Sequence, residues 1–428
     1  MATVTVEAAV AAIDPPACLT ALTLAALALP GMAPKAVAAA PVDSASTDFL
    51  YARYEESGGR MEIDVYSLNG VAPVSGSGEM AAGWVTDVMA GASPVLNIPA
   101  SKTVISGASA GRARIGLTND TNRPAFGPPV EVLSSASIRD TRHGLNINGS
   151  YLFDQMQVGL SAAGSHEKDY QSYSITTDGQ YESKDKMNTF NLALGGTWDK
   201  IEPVSRPLSE RKWMVNSSAG WTRIIDKLSL FQVSMTYDYN DGYLSNPYKK
   251  VYIQDGGDHL PGLVNAFQSD VFYDNRPGTR HQFALLGRYN RAFPDLNAAA
   301  LHLDYRFYAD SWNIRSHTVE ASWHQPVGDG WMVVADVRYY SQNEASFYQP
   351  YFFAPRSDGV YSSDYRLAGF GVMSGGVMLS KSFFDQLKVT LGFEYYEHAA
   401  ALKLGGASQS GFADFSYLLA TFGLNYVF

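Results

Sequence analysis

The chain has 428 residues, of which 17% are charged and 13% aromatic, and its net charge is −10. That is fewer charges than the roughly 25% of an ordinary soluble domain. The acidic balance excludes a nucleic-acid partner, because binding phosphates needs concentrated lysine and arginine. Mean hydropathy is slightly negative, and past the N-terminus no run of ~18 apolar residues occurs, which excludes helical membrane spans. With 38 Gly, 26 Tyr and 21 Phe, this is the composition of a membrane β-barrel. Each strand of such a barrel turns half its residues to lipid and half to a polar lumen, so the average hides the hydrophobicity.

In chain order, residues 1–40 read as an export signal: an apolar run at 18–29, then small residues at 36–40, with cleavage expected after Ala38 or Ala40. Glu7 and Asp14 stand where basic residues are usual, and Pro41 disfavours the second cleavage position. The one cysteine, Cys18, falls in this segment, so the mature chain suits an exported protein that needs no disulfide. Residues 41–428 are predicted to form a single domain. Strands are expected at 49–56, 60–68 and 80–89, with a turn at Ser57-Gly58-Gly59, followed by a long Gly/Pro/Ser-rich outer loop at 90–129 and a strand at 145–153. From there to the C-terminus the chain falls into segments of ~10–16 residues with period-two alternation. The predicted fold is an all-β, transmembrane, antiparallel up-and-down barrel of about sixteen strands (roughly 14 to 18), with both ends in the periplasm.

The alternation assigns faces. Phe231, Val233, Met235, Tyr237 and Tyr239 oppose Gln232, Ser234, Thr236, Asp238 and Asn240. Leu301, Leu303, Tyr305 and Phe307 oppose His302, Asp304, Arg306 and Tyr308. Val333, Ala335, Val337 and Tyr339 oppose Asp336, Arg338, Tyr340 and Gln342, and the segment 387–398 repeats the pattern. Aromatics gather at strand ends on the apolar side (Tyr237, Tyr239, Tyr305, Phe307, Tyr339, Tyr395), where interfacial girdles belong. Connections are expected to alternate strictly. Short turns fall at 153–155, 184–188, 226–227, 294–297, 327–330 and 384–386, and long loops at 202–212, 245–280, 345–363 and 401–411. A soluble sandwich has no reason for that asymmetry.

The final residues, Thr421-Phe422-Gly423-Leu424-Asn425-Tyr426-Val427-Phe428, carry the register of a barrel-assembly signal in Thr421, Gly423, Tyr426 and Phe428. The last strand must pair by its edge with the barrel-assembly machinery and then close on the first strand. The expected surroundings are the lipid bilayer of the outer membrane of a Gram-negative bacterium.

Several runs resemble the family filed as domain of unknown function 3570, a group of predicted outer-membrane proteins. They are Arg60-Met61-Glu62-Ile63, Ser106-Gly107-Ala108-Ser109, Ser137-Ile138-Arg139-Asp140-Thr141-Arg142 and Glu167-Lys168-Asp169-Tyr170-Gln171-Ser172. Further along come Lys186-Met187-Asn188-Thr189, Gly242-Tyr243-Leu244-Ser245-Asn246-Pro247-Tyr248-Lys249, Asn275-Arg276-Pro277 and Tyr340-Ser341-Gln342. The resemblance covers nearly all of 49–428, and 242–249 is its most distinctive run. It implies an outer-membrane location, no established activity and no catalytic residues. Such proteins being encoded near flavin-transfer and thioredoxin-like proteins, it also implies an envelope redox setting.

Candidate chemistry lies on the inward faces of the later strands: His302, Asp304, Arg306, Glu320, His324, Asp336, Arg338, Glu394 and His398. If turns at 314–316 and 327–330 set register, Arg306 meets His324, and Glu320 meets Asp336 and Arg338. These charges either form a constriction that selects solutes or a paired network that fills the lumen, since interior charges need partners. Asp238 to Gly242 has the look of a calcium loop, but with its spacing off by one and no glutamate at the right distance it reads as a strand end. Asp255, Asp258 and His259 offer a loop metal site only weakly. No Gly-x-Ser-x-Gly, His-Glu-x-x-His or phosphate-binding glycine loop occurs, so no enzyme and no cofactor are expected. The loop 347–353 is so aromatic that it should form an exposed patch, a plug or an interfacial anchor. The functional expectation is a porin-like channel or transporter. The other reading is a non-conducting barrel that holds a periplasmic or extracellular protein partner.

Overall fold

A computed structural model describes residues 44–91, 95–99, 102–109, 112–119, 130–133, 138–204, 206–254, 271–384, 386–406 and 414–428. The signal segment 1–40 and the candidates Asp255, Asp258 and His259 lie outside them. Sixteen antiparallel strands close into one barrel. They are β1 Ser46–Glu56, β2 Met61–Ser75, β3 Gly78–Gly91, β4 Ile138–Phe153, β5 Met156–His166, β6 Tyr170–Glu182, β7 Asn188–Ile201 and β8 Glu210–Asp226. Then follow β9 Ser229–Gly242, β10 Thr279–Phe293, β11 Ala299–Asp310, β12 Arg315–Gly328, β13 Trp331–Gln342, β14 Phe370–Phe383, β15 Leu387–Ala399 and β16 Phe415–Val427. Each strand pairs with its sequence neighbours, and β16 closes on β1 from Ser46↔Val427 to Glu56↔Tyr417. The segment between β3 and β4 carries two short antiparallel pairs, Val95–Ile98 with Val130–Leu133 and Lys102–Ser109 with Arg112–Asn119.

The faces are those the alternation assigned. Leu192, Ile175, Leu285, Val319, Val337 and Phe393 are exposed on the outside, whereas their inward neighbours Ser234, Thr236, Arg306, Ser322 and Ser374 are buried. An outer surface this apolar requires a hydrocarbon surround. Aromatics rim it at both ends: Trp198, Tyr237, Tyr305 and Tyr395 near the loops, and Tyr151, Phe153, Phe190, Trp331 and Phe428 near the turns. At the loop end the tyrosine hydroxyls find polar partners, Tyr237 with His281 and Tyr305 with His317, each at 2.8 Å. An amphipathic ring with a bonded hydroxyl belongs where lipid meets water.

Two expectations change. The alternation of short and long connections is not strict: at the loop end, the connections 57–60, 167–169 and 311–314 are as tight as the turns opposite. At 311–314 the cause is local. The Asp310 carboxylate accepts hydrogen bonds from the backbone N–H of Trp312 and Ile314 (3.0 and 2.8 Å), and Asn313 takes a left-handed φ of 73°. This turn centres earlier than 314–316, so Arg306 sits opposite Thr318, and His324 opposite Ala300.

The seam strands invert the usual polarity. Ala52, Tyr54, Ile63, Val65 and Leu419 form an apolar patch on the inner wall, joined by Leu50, Met61, Val85, Met89 and Tyr417. On the outer face of the same strands, Arg53 bonds Glu62 (2.6 Å) and Asp64 (2.9 Å), above the apolar belt.

Two outcomes test the fold. The unboiled protein should migrate faster than the boiled protein in detergent gels. Replacing Phe428 with Ser should leave the assembled barrel's unfolding temperature unchanged while cutting the heat-modifiable fraction in membrane preparations several-fold, since Phe428 contributes to edge recognition and not to a core; it is 69% exposed.

Candidate functional site

The nine inward residues fall into three places. Arg288, Asp304, Glu320 and Arg338 are successive cross-strand partners from β10 to β13, a row of four charges with no net sign. Arg288 donates to both Asp304 oxygens, with Nε at 2.8 and 3.0 Å. Directly opposite pairs of unlike charge stabilise a sheet, and a like pair such as Asp304 and Glu320 needs a cation on each side. Arg288 was missed in the sequence, although it falls on the inward register of β10. One row nearer the turns, His302 stacks diagonally on His324 of the row beyond, with ring centroids 4.2 Å apart, and Ser322 bonds His324 at 3.1 Å. Asp336 lies in the row of His302 opposite Ser322 and Gly376, with Glu394 beyond Gly376.

One row nearer the loops, Arg306 is buried opposite Thr318. His398 is in the same row but in different company. Its ring packs on Phe370 (4.0 Å) and Phe415 (4.8 Å), with Tyr365 at 5.8 Å. This aromatic group continues through Tyr396 and Tyr417 to Tyr54 and the apolar seam. The inner wall therefore carries the row of paired charges on β10–β13 and, on β14–β16 and β1, an aromatic group near the loops with Glu394 nearer the turns.

At the loop end, described parts of the long connections pack together as a lid. Of the readings open for the loop 347–353, an exposed patch, a plug or an interfacial anchor, Phe347 does not fit the first: it is buried in one core with Trp312, Ile314, Leu244 and Leu367 and the inward-facing Ala284 and Tyr308. Phe352 packs with Val251 and Ile253 of the 243–278 segment. Leu96 and Ile98 pack on Tyr252, with Val271 and Tyr351 alongside. Described parts of three connections thus pack together at the mouth, and of the aromatic residues in 347–353 Phe353 stays exposed. A buried ion network ties two of them, 243–278 and 343–369: Arg276 bonds Asp274 at 2.6 Å and Asp364 at 2.7 Å, and Arg366 also bonds Asp364. Burial opposes the charge on Asp364, but Arg366 and Arg276 outweigh it and hold the carboxyl far below the usual carboxylate range. The lid turns in at Gly242, whose φ is 118°; a Cβ there would overlap the Arg211 carbonyl.

Beside the lid lies a second charged group that sequence reading did not find. Arg142 of β4 bonds Asp87 of β3 at 2.6 Å, with both side chains essentially inaccessible. Next to it are Glu167 and Asp169 from the β5–β6 turn and Asp140 from the start of β4. Tyr248 of the lid donates its hydroxyl to Asp169. Three of the family-like runs, 137–142, 167–172 and 242–249, converge here. That was the available signal: matching runs far apart in sequence that share charges. Burial pushes Glu167 up to about 8; Arg142 offsets part of this, while Asp169, Asp140 and Asp87 add repulsion. Burial also raises Asp169, against the hydrogen bond from Tyr248.

Arg142→Ala strands the buried Asp87 carboxylate, so unfolding in detergent should become easier by about 3–5 kcal/mol, with Asp87→Asn in the same chain restoring most of the loss. Glu167 gives a pH test. Its folded value of about 8 exceeds the ordinary 4.5, so the folded state binds the extra proton between them. Stability should be full below pH 4.5, fall as pH rises to about 8, and then level off. Glu167→Gln should flatten that slope in chelator-containing buffer, as read by thermal unfolding.

Among solved structures the chain is similar to a bacterial polysaccharide outer membrane secretin, at 10% identity and a TM-score of 0.46 over 90% of this chain and 98% of that one. It is also similar to CdiB from Acinetobacter baumannii, at 7% identity and 0.48 over 90% and 60%. A third is the CymD monoaromatic hydrocarbon channel, at 9% and 0.40 over 90% and 88%. No curated protein matches the chain. The family described as "Protein of unknown function (DUF3570)" matches residues 19–218 and 205–419. With both its strand pattern and its loop-end motifs inside those matches, the chain belongs to that family.

Proposed function

We propose that this protein is an outer-membrane channel or transporter for a small solute or ion, with its mouth covered by a folded loop lid. The observation that carries this reading is the inner wall. A barrel whose only task is to hold a partner outside has no need of a neutral row of paired charges beside an aromatic sector on its inner wall. A row with no net sign, Arg288-Asp304-Glu320-Arg338, would orient a solute without rejecting either sign of ion. The aromatic sector around His398 would offer a face to an apolar portion of the same solute.

Location follows from the same physics. The apolar belt needs lipid, a closed antiparallel barrel leaves no backbone group unpaired in hydrocarbon, and the terminal register of Thr421, Gly423, Tyr426 and Phe428 is the one recognised by barrel-assembly machinery. On this reading the short turns and both ends face the periplasm and the lid faces outside.

Conductance across a planar bilayer tests the proposal. Wild-type protein should give small, discrete steps. Arg276→Ala, which unties Asp274 from Asp364 in the lid, should lengthen or enlarge them several-fold with the barrel intact by gel shift. Silence from both proteins, together with co-purification of a stoichiometric periplasmic or extracellular partner, would replace this reading with the non-conducting scaffold.

A further inference from the structure

We propose that Asp140, Glu167 and Asp169 form a binding site for a hard divalent cation of the calcium type, which ties the lid to the barrel rim. The inference is independent of whether the barrel conducts. One carboxylate oxygen from each residue lies within 4.8 Å of the other two. Calcium holds oxygens at ~2.3–2.6 Å, so ligand oxygens around one ion are separated by up to ~5 Å. Three oxygens at this spacing need only a slight inward movement to share one.

Proximity of carboxylates is not enough, since exposed acids often gather without an ion. Here the central member is not exposed. Glu167 is 5% accessible, and its Oε1 is buried with no hydrogen-bond partner. Arg142 Nε stands 4.0 Å from it, beyond hydrogen-bond reach, while that guanidinium bonds Asp87 at 2.6 Å. Lys168 beside the group is exposed. Among the described side chains of the buried group, Asp87, Asp140, Glu167 and Asp169 face the Arg142 guanidinium, so ionising all four carboxyls, Glu167 included, leaves a negative surplus that a bound cation would offset. An anionic oxygen in that position gains most from a cation placed among the three carboxylates.

The donor set selects the ion class. It is all oxygen, with no cysteine or imidazole, and this favours calcium, magnesium or manganese over zinc or copper. Spacing that must relax to close favours calcium, whose coordination is the more flexible. The consequence is mechanical. Asp140 begins β4 at the end of one long connection, Glu167 and Asp169 are the β5–β6 turn, and Tyr248 brings the 243–278 connection onto Asp169. A cation would fasten these three elements at once.

Terbium(III) provides the probe, because Tyr248 contacts a ligand and can sensitise its emission. Full-length protein folded in detergent, free of lipopolysaccharide and stripped with a chelator, should bind one terbium, and calcium should displace it. Glu167→Gln and Asp140→Asn should each weaken binding by roughly tenfold or more. Calcium should raise the unfolding temperature of wild type but not of either variant. Glu167→Gln removes a buried charge and should fold without calcium, so failure to fold does not confuse its result. Terbium emission indifferent to both substitutions would overturn the site. So would an unfolding temperature that rises on acidification but not with calcium, which would mean that the carboxylates share a proton instead.

Discussion

Everything in this molecule depends on the pairing of β16 with β1. Until these two strands meet, the sheet has two edges of unpaired N–H and C=O groups, and in hydrocarbon each such group costs several kcal/mol. The closing register, Ser46↔Val427 through Glu56↔Tyr417, removes both edges at once. It also decides what faces inward at the seam: Ala52, Tyr54 and Leu419 line the lumen, and Arg53 looks out. A slip of one residue would exchange those faces and put an arginine where an apolar wall now stands.

Closure also makes the lumen a place where charges must be matched. The charges on β10–β13 meet this by direct opposition across neighbouring strands. The pair Asp87–Arg142 meets it by burial together. The lid follows the same rule, with Arg276 between two aspartates. The acidic group at Glu167 is a place where the described side chains leave a surplus, and it lies where lid and rim meet. Surplus charge, lid attachment and three of the family-like runs coincide there. On the proposed reading, the paired charges of the lumen act on a solute and those of the rim on the attachment of the lid.

Much of the fold was legible because a strand's side chains alternate with a period of two whatever its neighbours do. Phe393 and Glu394 face opposite ways for that reason alone, and the terminal Phe428 supplied a fixed point from which to count. Register was less legible. Arg306 was expected beside His324, but the turn between their strands is set by the Asp310 carboxylate capping two N–H groups, which moves the centre of the hairpin. His398 was grouped with charges because it alternates with them, yet its neighbours from β14 and β16 are aromatic. Whether the loop of Phe347 forms a patch, a plug or an anchor stayed open, because a loop sequence carries no record of what folds over it.

The sequence by itself determined the barrel, the face each strand residue takes, the terminal register and the family, because all of these are written in local periodicity and contiguous runs. Only the tertiary structure decided which charges meet, that the long connections form a lid, and that Asp140, Glu167, Asp169 and Tyr248 come together. Those contacts join residues far apart in sequence, such as Leu96 and Tyr252 at 156 positions, and their geometry is set by hairpin centres and barrel closure, which no local pattern records.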